Sequence, residues 1–334
     1  MSAVYLSDKN HVGMKFESGA YANTSGNLQW IGEVQSHDVD VTTNVQPIRY
    51  LDGDDRNVEQ FQAKALDVVG TFTYFPQDWR LLGFALGSIT DAGSPSPYIH
   101  NMSEVNSGSR SNAYTSGALN PFISFGVEDT HIFQTGQNFQ RKVFGATVDT
   151  FTLNMKQGEI LTADVGYKAQ YATFGSGAES SLTAATTRPF MFSDVKLHSP
   201  SGTILQTFID GTFSVNNNLN PKHYLNGSIY AAVMTPLGRE YELNITLEGN
   251  TTDTGSIWSN NFISGNQFNM MLEINAQNTA GAGSRDCYII LSGCQVMDMK
   301  TPSPVEGTNE NTISIKPSSC FATSNDLIYL YNEW

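Results

Sequence analysis

A ten-residue phrase occurs twice in this chain of 334 residues, and it constrains the fold more than any other feature. The phrase NVQPIRYLDG, residues 44–53, returns as NLNPKHYLNG, residues 218–227, at an offset of 174 residues. Asn, Pro, Tyr, Leu and Gly keep their places in both copies. Because one match of this length can arise by chance, it indicates a repeated domain only if other features recur in the same order.

Three further features follow the phrase in both halves: an alternating strand, a short helix from a Trp to a Gly, and a strand centred on a Gly. The Gly-centred strands contain Gly145 and Gly293, at an offset of only 148. An insertion of about 26 residues in the first half accounts for the difference, and Asn101–Asn120 has the Ser-, Asn- and Gly-rich composition of an exposed loop. We therefore predict a tandem duplication, with a first domain at residues 1–182, carrying a long loop insertion at about 101–140, and a second domain at 183–334.

Alternating hydrophobicity predicts the fold class. In YELNITLE, residues 241–248, apolar side chains occupy every second position, which is typical of a half-buried strand. Many such segments are separated by Gly, Pro or Asn turns that are too short for crossover helices, so the strands should pair antiparallel. Helical spacing is found in FPQDWRLLGFALGS, residues 75–88, and more weakly in SIWSNNFISG, residues 256–265. We predict an all-β protein of two tandem antiparallel β-sandwich or barrel domains, each with a short flanking α-helix.

Charge and composition exclude several function classes. A net charge of −14 argues against a surface that grips phosphate, although it suits a surface past which DNA must slide. No apolar run approaches the roughly 18 residues that a membrane-spanning helix requires, so we expect no membrane association. The N-terminus MSAVYLSDKNHVG lacks an apolar leader, so we expect no secretory signal. Three cysteines without C-x-x-C spacing are expected to be reduced and structural.

Motifs that carry chemistry are lacking. The six histidines are scattered without the spacing of a metal site. The acidic run at residues 52–59 fails as a calcium loop because Arg56 takes a ligand position, so we interpret it as a solvated turn. No Walker A segment, dinucleotide loop or G-x-S-x-G elbow occurs. We therefore predict no catalytic, metal or cofactor-binding residue, no cofactor, and no enzymatic activity.

Two long segments resemble a known family. WIGEVQSHDVDVTTN, IRYLDG and LDVVGTFTYFPQDWRLLGFALGS look like the N-terminal half of tail tube proteins of tailed viruses. The C-terminal segments ILSGCQVMDMKTPSPVEGTNENTISIKPSS and NDLIYLY are similar to the closing strands of that family. The matched stretches cover roughly half of the chain, and they point to an architecture rather than to a reactive site.

The resemblance implies a structural role in the virion tail. In that family six domains close a ring, and rings stack into a tube through which viral DNA leaves the capsid. A duplicated chain would build the ring as a homotrimer with pseudo-sixfold symmetry. The implied partners are further copies of the chain, tape-measure, tail-terminator and tail-tip proteins, and DNA that passes without specific binding. The implied location is the virion tail, assembled in the host cytoplasm.

Two sets of residues become candidates for this role. A tube that passes a polyanion should present carboxylates to its lumen, and the candidates are Asp38, Asp40, Glu242 and Glu248. The Ser-rich insertion is expected to reach the neighbouring ring, with candidates Asn101, Ser109, Arg110 and Tyr114.

Three alternatives remain open. A distal-tail or hub protein would use the same domain but form one ring instead of a polymer. An extracellular β-rich adhesin would suit the polar composition, although it would need a secretion signal. A depolymerase would need one pair of acids whose removal abolishes glycan hydrolysis, and nothing in the sequence singles out such a pair.

Overall fold

The structure is a computed structural model, and it describes residues 11–17, 28–48, 60–92, 98–104, 124–132, 138–176, 182, 185, 187–225, 227–249, 257, 261–276, 285–303 and 309–326. This part of the chain forms eighteen β-strands, one α-helix and one 3₁₀ turn. The strands are β1 (His11–Phe16), β2 (Glu33–Ile48), β3 (Gln60–Phe75), β4 (Gly87–Ala92), β5 (Tyr98–Glu104), β6 (Phe125–Ile132), β7 (Asn138–Lys156), β8 (Thr162–Ala169), β9 (Tyr171–Ser176), β10 (Val195–His198), β11 (Phe208–Asn216), β12 (Leu219–Lys222), β13 (Val233–Pro236), β14 (Glu240–Glu248), β15 (Phe268–Ala276), β16 (Arg285–Lys300), β17 (Glu310–Lys316) and β18 (Ser319–Asp326). The helix is α1 (Arg80–Leu86), and the 3₁₀ turn is Phe192–Asp194.

The predicted all-β class is confirmed, and every strand pairing is antiparallel. Eight strands form a continuous sheet in the order β2-β3-β8-β7-β11-β14-β17-β16. The remaining strands, apart from the β12–β13 pair, form two smaller sheets, β1-β6-β7-β9 and β10-β15-β16-β18-β5-β4. The long strands β7 and β16 belong to the eight-stranded sheet and to a smaller sheet, so they connect the two layers.

Glycine makes that passage between layers possible. Gly145 in β7 has a φ of +66° and Gly293 in β16 has a φ of +59°, values that favour a residue without Cβ. Both glycines lie at a β-bulge, where an extra residue bends a strand and sharpens its twist. The two predicted Gly-centred strands are therefore the points at which a long strand turns from one sheet into the next.

Strand pairings recur in the two halves of the chain. Six pairings among the early strands, β1·β6, β6·β7, β7·β9, β7·β8, β8·β3 and β3·β2, have the counterparts β10·β15, β15·β16, β16·β18, β16·β17, β17·β14 and β14·β11. Register shifts interrupt both sets at matching places: Val34/Ser36 and Phe208/Asp210, Phe125/Val127 and Phe268/Met270, Val148/Thr150 and Val296/Asp298. The pairing of β7 with β11 joins the two sets into one sheet.

Helix α1 confirms the first predicted helix. Gly87 caps it in the left-handed conformation and donates its N–H to the Gly83 carbonyl. Every residue of α1 is buried, so the helix is covered on all sides. Even Arg80 lies inside, where its Nη1 donates to Gln29 Oε1 over 2.6 Å. Residues 256 and 258–260 of the second predicted helix lie outside the described residues; in the remainder, Ile257 is helical and buried, Asn261 and Phe262 are helical, and a turn follows at 263–264.

The predicted loop insertion is partly a strand pair. Within residues 101–140 the structure contains the end of β5, all of β6 and the start of β7, so a loop over that whole range is wrong. Strands β4 and β5 form a hairpin, and β5 pairs with β18 from Tyr98↔Asp326 to Ser103↔Phe321. Strands β4 and β5 of the first half therefore extend the smaller sheet that contains β10, β15, β16 and β18 of the second half.

Candidate functional site: the polar face of the eight-stranded sheet

The eight-stranded sheet has one apolar face and one polar face because its strands alternate. In β8 the side chains of Ala163, Val165 and Tyr167 are buried, whereas Asp164 and Lys168 point to the opposite face. In β14 the four apolar residues of the predicted pattern are likewise buried. The buried face contributes to one hydrophobic core with the smaller sheets. We call the other face the polar face.

Hydrogen bonds fix side chains across the polar face. Asp164 accepts from Thr73 Oγ1 over 2.6 Å and from Asn154 Nδ2 over 2.8 Å. Thr212 in turn donates to Asn154 Oδ1 over 3.4 Å, which extends the row across β3, β8, β7 and β11. On the next strand, Glu242 accepts from Asn244 Nδ2 over 2.9 Å. Carboxylates held in this way keep their position without a metal ion or a ligand.

Negative charge prevails on the polar face. Its carboxylates outnumber its lysines; the carboxylates are Asp38, Asp40, Asp67, Asp164, Asp210, Glu240, Glu242, Glu248, Asp298 and Glu310, and the lysines are Lys156, Lys168, Lys300 and Lys316. Several of these charges are neutralised locally, as in the 2.9 Å ion pair of Lys168 with Asp149. The unpaired surplus makes the face suited to repel a polyanion rather than to bind one.

Both lateral edges of the eight-stranded sheet are paired on one side only within the described residues. At one edge, β2 pairs with β3. At the other edge, residues 295–300 of β16 pair with β17. An unpaired strand edge presents backbone donors and acceptors and is a template for pairing with another chain.

A buried cluster behind the sheet resembles a catalytic arrangement and deserves comparison with one. His37 Nδ1 donates to Asp129 Oδ2 over 3.0 Å, and the Tyr167 hydroxyl bonds His37 Nε2 over 2.9 Å. Arg141 also donates to Asp129 Oδ2, from Nε over 3.1 Å. Burial opposes ionisation of Asp129, but hydrogen bonds and charges from His37 and Arg141 outweigh it and lower the pKa of that carboxyl.

This cluster is a structural network. The His37 and Asp129 side chains are each only 3% exposed, and both ring nitrogens of His37 are occupied by protein partners. A general base needs access to a substrate proton, which this histidine does not have. The contacts of His37 with Asp129 and Tyr167 are therefore structural.

Comparison with known families decides what kind of molecule carries this sheet. The family model described as phage tail tube protein matches residues 8–319, which is nearly the whole chain. The chain belongs to the phage tail tube protein family. A comparison with curated proteins finds no match.

Members of the tail tube family are structural components of the virion tail, so this chain is a structural tail protein rather than a member of an enzyme class. In the part of the chain that the structure covers, no cluster of His, Cys, Asp and Glu could hold a metal ion. Over the same residues, no helix has the length and apolar character needed to cross a membrane.

All four predicted lumen acids of the tail tube chain lie on the polar face. Asp38 and Asp40 are exposed on β2, and Glu248 is exposed at the end of β14. Glu242 differs, because it is half-buried and accepts hydrogen bonds from Asn244 and Ser314. The alternation in the sequence does not identify which face of each strand contacts the core. The structure identifies it, because the residues that alternate with these acids are the more buried ones.

The predicted inter-ring residues are not assembled into one site. Asn101 was expected in a loop, but it lies in β5, half-buried, with Thr90 on one side and Thr323 on the other. Asn101 is therefore not in a loop, because the backbone of β5 is taken up by two neighbouring strands, and its contact with the next ring stays a prediction. Ser109, Arg110 and Tyr114 lie outside the described residues.

Residues that sequence reasoning missed lie at the sheet edges. Lys300, near the end of β16, is exposed beside the unpaired edge, with Pro302 two residues beyond it. The offset of 148 residues could have identified Lys300. It aligns β16 with β7, and therefore Lys300 with Thr152, which pairs with another strand in the middle of the sheet.

Proposed function

We propose that this chain forms the wall of a phage tail tube, in which rings stack into the conduit that carries DNA from the capsid into the host cell. The observation that carries the proposal is the eight-stranded sheet with one polar, predominantly acidic face and two lateral edges available for pairing. Such a sheet can close around a channel with its polar face inward, because each edge can accept a neighbouring chain.

The ring is proposed to be a homotrimer with pseudo-sixfold symmetry, built from two tandem tail-tube domains at residues 1–182 and 183–334. Six recurring pairings and three recurring register shifts support the duplication. Each half contributes four strands to the eight-stranded sheet, so three chains would supply six equivalent four-stranded sections of the wall.

The polar face is proposed to line the lumen, with Asp38, Asp40, Glu242 and Glu248 among the side chains that face DNA. A wall that carries surplus negative charge lets a polyanion pass without adhering, because like charges repel at short range even in salt. DNA would therefore be a passing cargo that is not bound specifically.

The proposed partners at the ends of the tube are tape-measure, tail-terminator and tail-tip proteins. Assembly is proposed to take place in the host cytoplasm, and the 101–120 segment is proposed to contact the next ring.

Electron microscopy of the purified protein at rising concentration tests the assembly. We expect hollow rings of three chains with a near-sixfold outline in axial class averages, stacking into tubes. Single rings that never stack would instead indicate a distal-tail or hub protein, which is the second candidate. Monomers at every concentration would contradict both.

Charge substitutions in the virion test the lining. The double substitutions Asp38→Ser/Glu248→Ser and Asp38→Lys/Glu248→Lys change the lumen charge in two steps while leaving the core untouched, because both acids are exposed. We expect intact tails in both variants and slower DNA ejection in the Lys variant than in the Ser variant. The difference should shrink at high ionic strength. Equal ejection rates in wild type and both variants would refute the electrostatic role.

A further inference from the structure

We infer that β2 of one chain pairs with the end of β16 of the next chain, in the register that places Asp40 opposite Lys300. This inference deepens the proposed function and rests on it, because it names the contacts by which one copy of the chain binds another. The partner is a second copy of this chain, and the structure contains the template for the contact.

The template is the pairing of β7 with β11, where the two halves of one chain meet. Those strands pair from Asp210↔Lys156 to Asn216↔Thr150, with Ser214 opposite Thr152 in the centre. The recurring pairings make β2 the counterpart of β11 and β16 the counterpart of β7. The edge strands β2 and β16 are thus the two strands that would pair if the β7–β11 contact were repeated between two chains.

The register follows from the matching bulges. The shift at Val34/Ser36 corresponds to the one at Phe208/Asp210, which aligns Ser214 with Asp40. The shift at Val148/Thr150 corresponds to the one at Val296/Asp298, which aligns Thr152 with Lys300. The projected pairs are Asp38↔Pro302, Val39↔Thr301, Asp40↔Lys300, Val41↔Met299 and Thr42↔Asp298.

Backbone chemistry allows this register. At the template, the Asn217 N–H donates to the Asp149 carbonyl over 2.7 Å, so that pair is of the hydrogen-bonded type. Because the two types alternate along an antiparallel ladder, Ser214↔Thr152 is a non-hydrogen-bonded pair, and so is its projection Asp40↔Lys300. Pro302 then also falls in a non-hydrogen-bonded pair, where its missing N–H costs the contact nothing. A register shifted by one residue would set the outward-pointing backbone groups of β2 opposite residues of β16 whose backbone groups point toward β17, so no hydrogen-bonded ladder could form.

Side chains on both faces complement each other in this register. Val39 and Val41 are partly buried against the core, and Met299 is buried, so apolar residues would meet on the inner face. On the polar face Asp40 would meet Lys300, whose ion pair among the described residues is with the exposed Asp298, at 3.8 Å. Directly opposed residues in a non-hydrogen-bonded pair have the closest side chains in a sheet, so opposite charges there favour one register over its neighbours.

Engineered disulfides test the register directly. Opposed non-hydrogen-bonded residues have Cα atoms about 4.5 Å apart, within the range that a disulfide spans, whereas diagonal positions are about 7–8 Å apart. We expect oxidised Asp40→Cys/Lys300→Cys rings to give covalent dimers and trimers on a non-reducing gel. The matched control Asp40→Cys/Asp298→Cys has the same number of thiols and should cross-link at most one tenth as well. The three native cysteines are buried. The single variant Asp40→Cys measures the background cross-linking between the introduced thiol and these native thiols.

A charge exchange gives a second, independent readout. Asp40→Lys and Lys300→Asp each place like charges in opposition, and each should raise the protein concentration needed for ring assembly about three- to tenfold. The double variant Asp40→Lys/Lys300→Asp restores the pair and should return assembly close to that of the wild type. A double variant as defective as both single variants combined would overturn the register.

The outcomes separate the inference from the proposed function. If the wild type forms rings but only the control variant Asp40→Cys/Asp298→Cys cross-links, the proposed register is overturned and the tube function stays intact. A wild type that forms no rings under any condition would overturn both.

Discussion

Gly70 is a position where one added methyl group should lower stability. In β3 it lies opposite Tyr167 of β8, and the tyrosine ring covers the glycine Cα. A Cβ on residue 70 would lie 2.6 Å from Tyr167 Cε2, and closer still to Cζ and the hydroxyl oxygen. Real Cβ atoms do not approach other atoms so closely, so the Tyr167 side chain must move in the variant Gly70→Ala.

The cost has two parts. Displacing a fully buried ring in a close-packed core costs about 1–3 kcal/mol. The movement also separates the Tyr167 hydroxyl from His37 Nε2, now 2.9 Å away, and loss of a buried hydrogen bond costs about 1–3 kcal/mol. We expect Gly70→Ala to lower the free energy of unfolding by about 4 kcal/mol, the middle of the combined range of about 2–6 kcal/mol.

Urea unfolding of the unassembled protein, followed by tryptophan fluorescence, measures this effect. The control is Gly175→Ala in β9, where a Cβ meets no atom within 4 Å, so the variant should be neutral or slightly stabilised. The double variant Gly70→Ala/Tyr167→Leu should be less destabilised than the two single changes added together, because the smaller side chain removes the clash. A Gly70→Ala protein as stable as Gly175→Ala would refute the reasoning.

Two further predictions concern buried titratable groups. Asp129→Asn should lower stability by about 3 kcal/mol near neutral pH, since it leaves Arg141 without its carboxylate, whereas the exposed Asp38→Asn should change it by less than about 0.5 kcal/mol. Because folding lowers the pKa of Asp129, the stabilisation is present above the unfolded value of about 3.9 and is lost as pH falls through the folded value, so unfolding curves of wild type and Asp129→Asn should converge in acid. Burial raises the pKa of the Cys294 thiol to about 11 and raises that of Cys287 also, so iodoacetamide at pH 8 should label neither in the native protein and both in urea, as read by mass spectrometry. Labelling of native Cys287 would contradict its burial, and a pH-independent gap between wild type and Asp129→Asn would contradict the role of the carboxylate.

Local patterns predicted much of this fold. Strand β14 (Glu240–Glu248) contains the predicted segment 241–248, because alternation reports directly on which residues meet the core. The predicted short helix from a Trp to a Gly is present as α1, which ends at Gly87 in the left-handed conformation, because such a cap depends on one residue and its nearest neighbours. The polar face followed from the same alternation once the buried side of each strand was known.

Long-range relations were harder to predict. The hairpin β4–β5 reads locally as the entrance to a polar loop, and its strand character comes from pairing with β18, more than 200 residues away in sequence. The complete burial of α1 follows from the sheets on either side of it, which no helical spacing reveals. His37, Asp129 and Tyr167 are distant in sequence and come together only through the packing of β2, β6 and β8.

The hairpin β4–β5 makes the two halves of the chain unequal on the outside. It covers the edge of β18, whereas β9, the counterpart of β18, pairs only with β7 within the described residues. A trimeric ring would therefore have a sixfold lining and a threefold exterior. Each such ring would carry the edge of β9 at three positions, and a molecule that binds this edge from outside would meet it every 120° of rotation rather than every 60°.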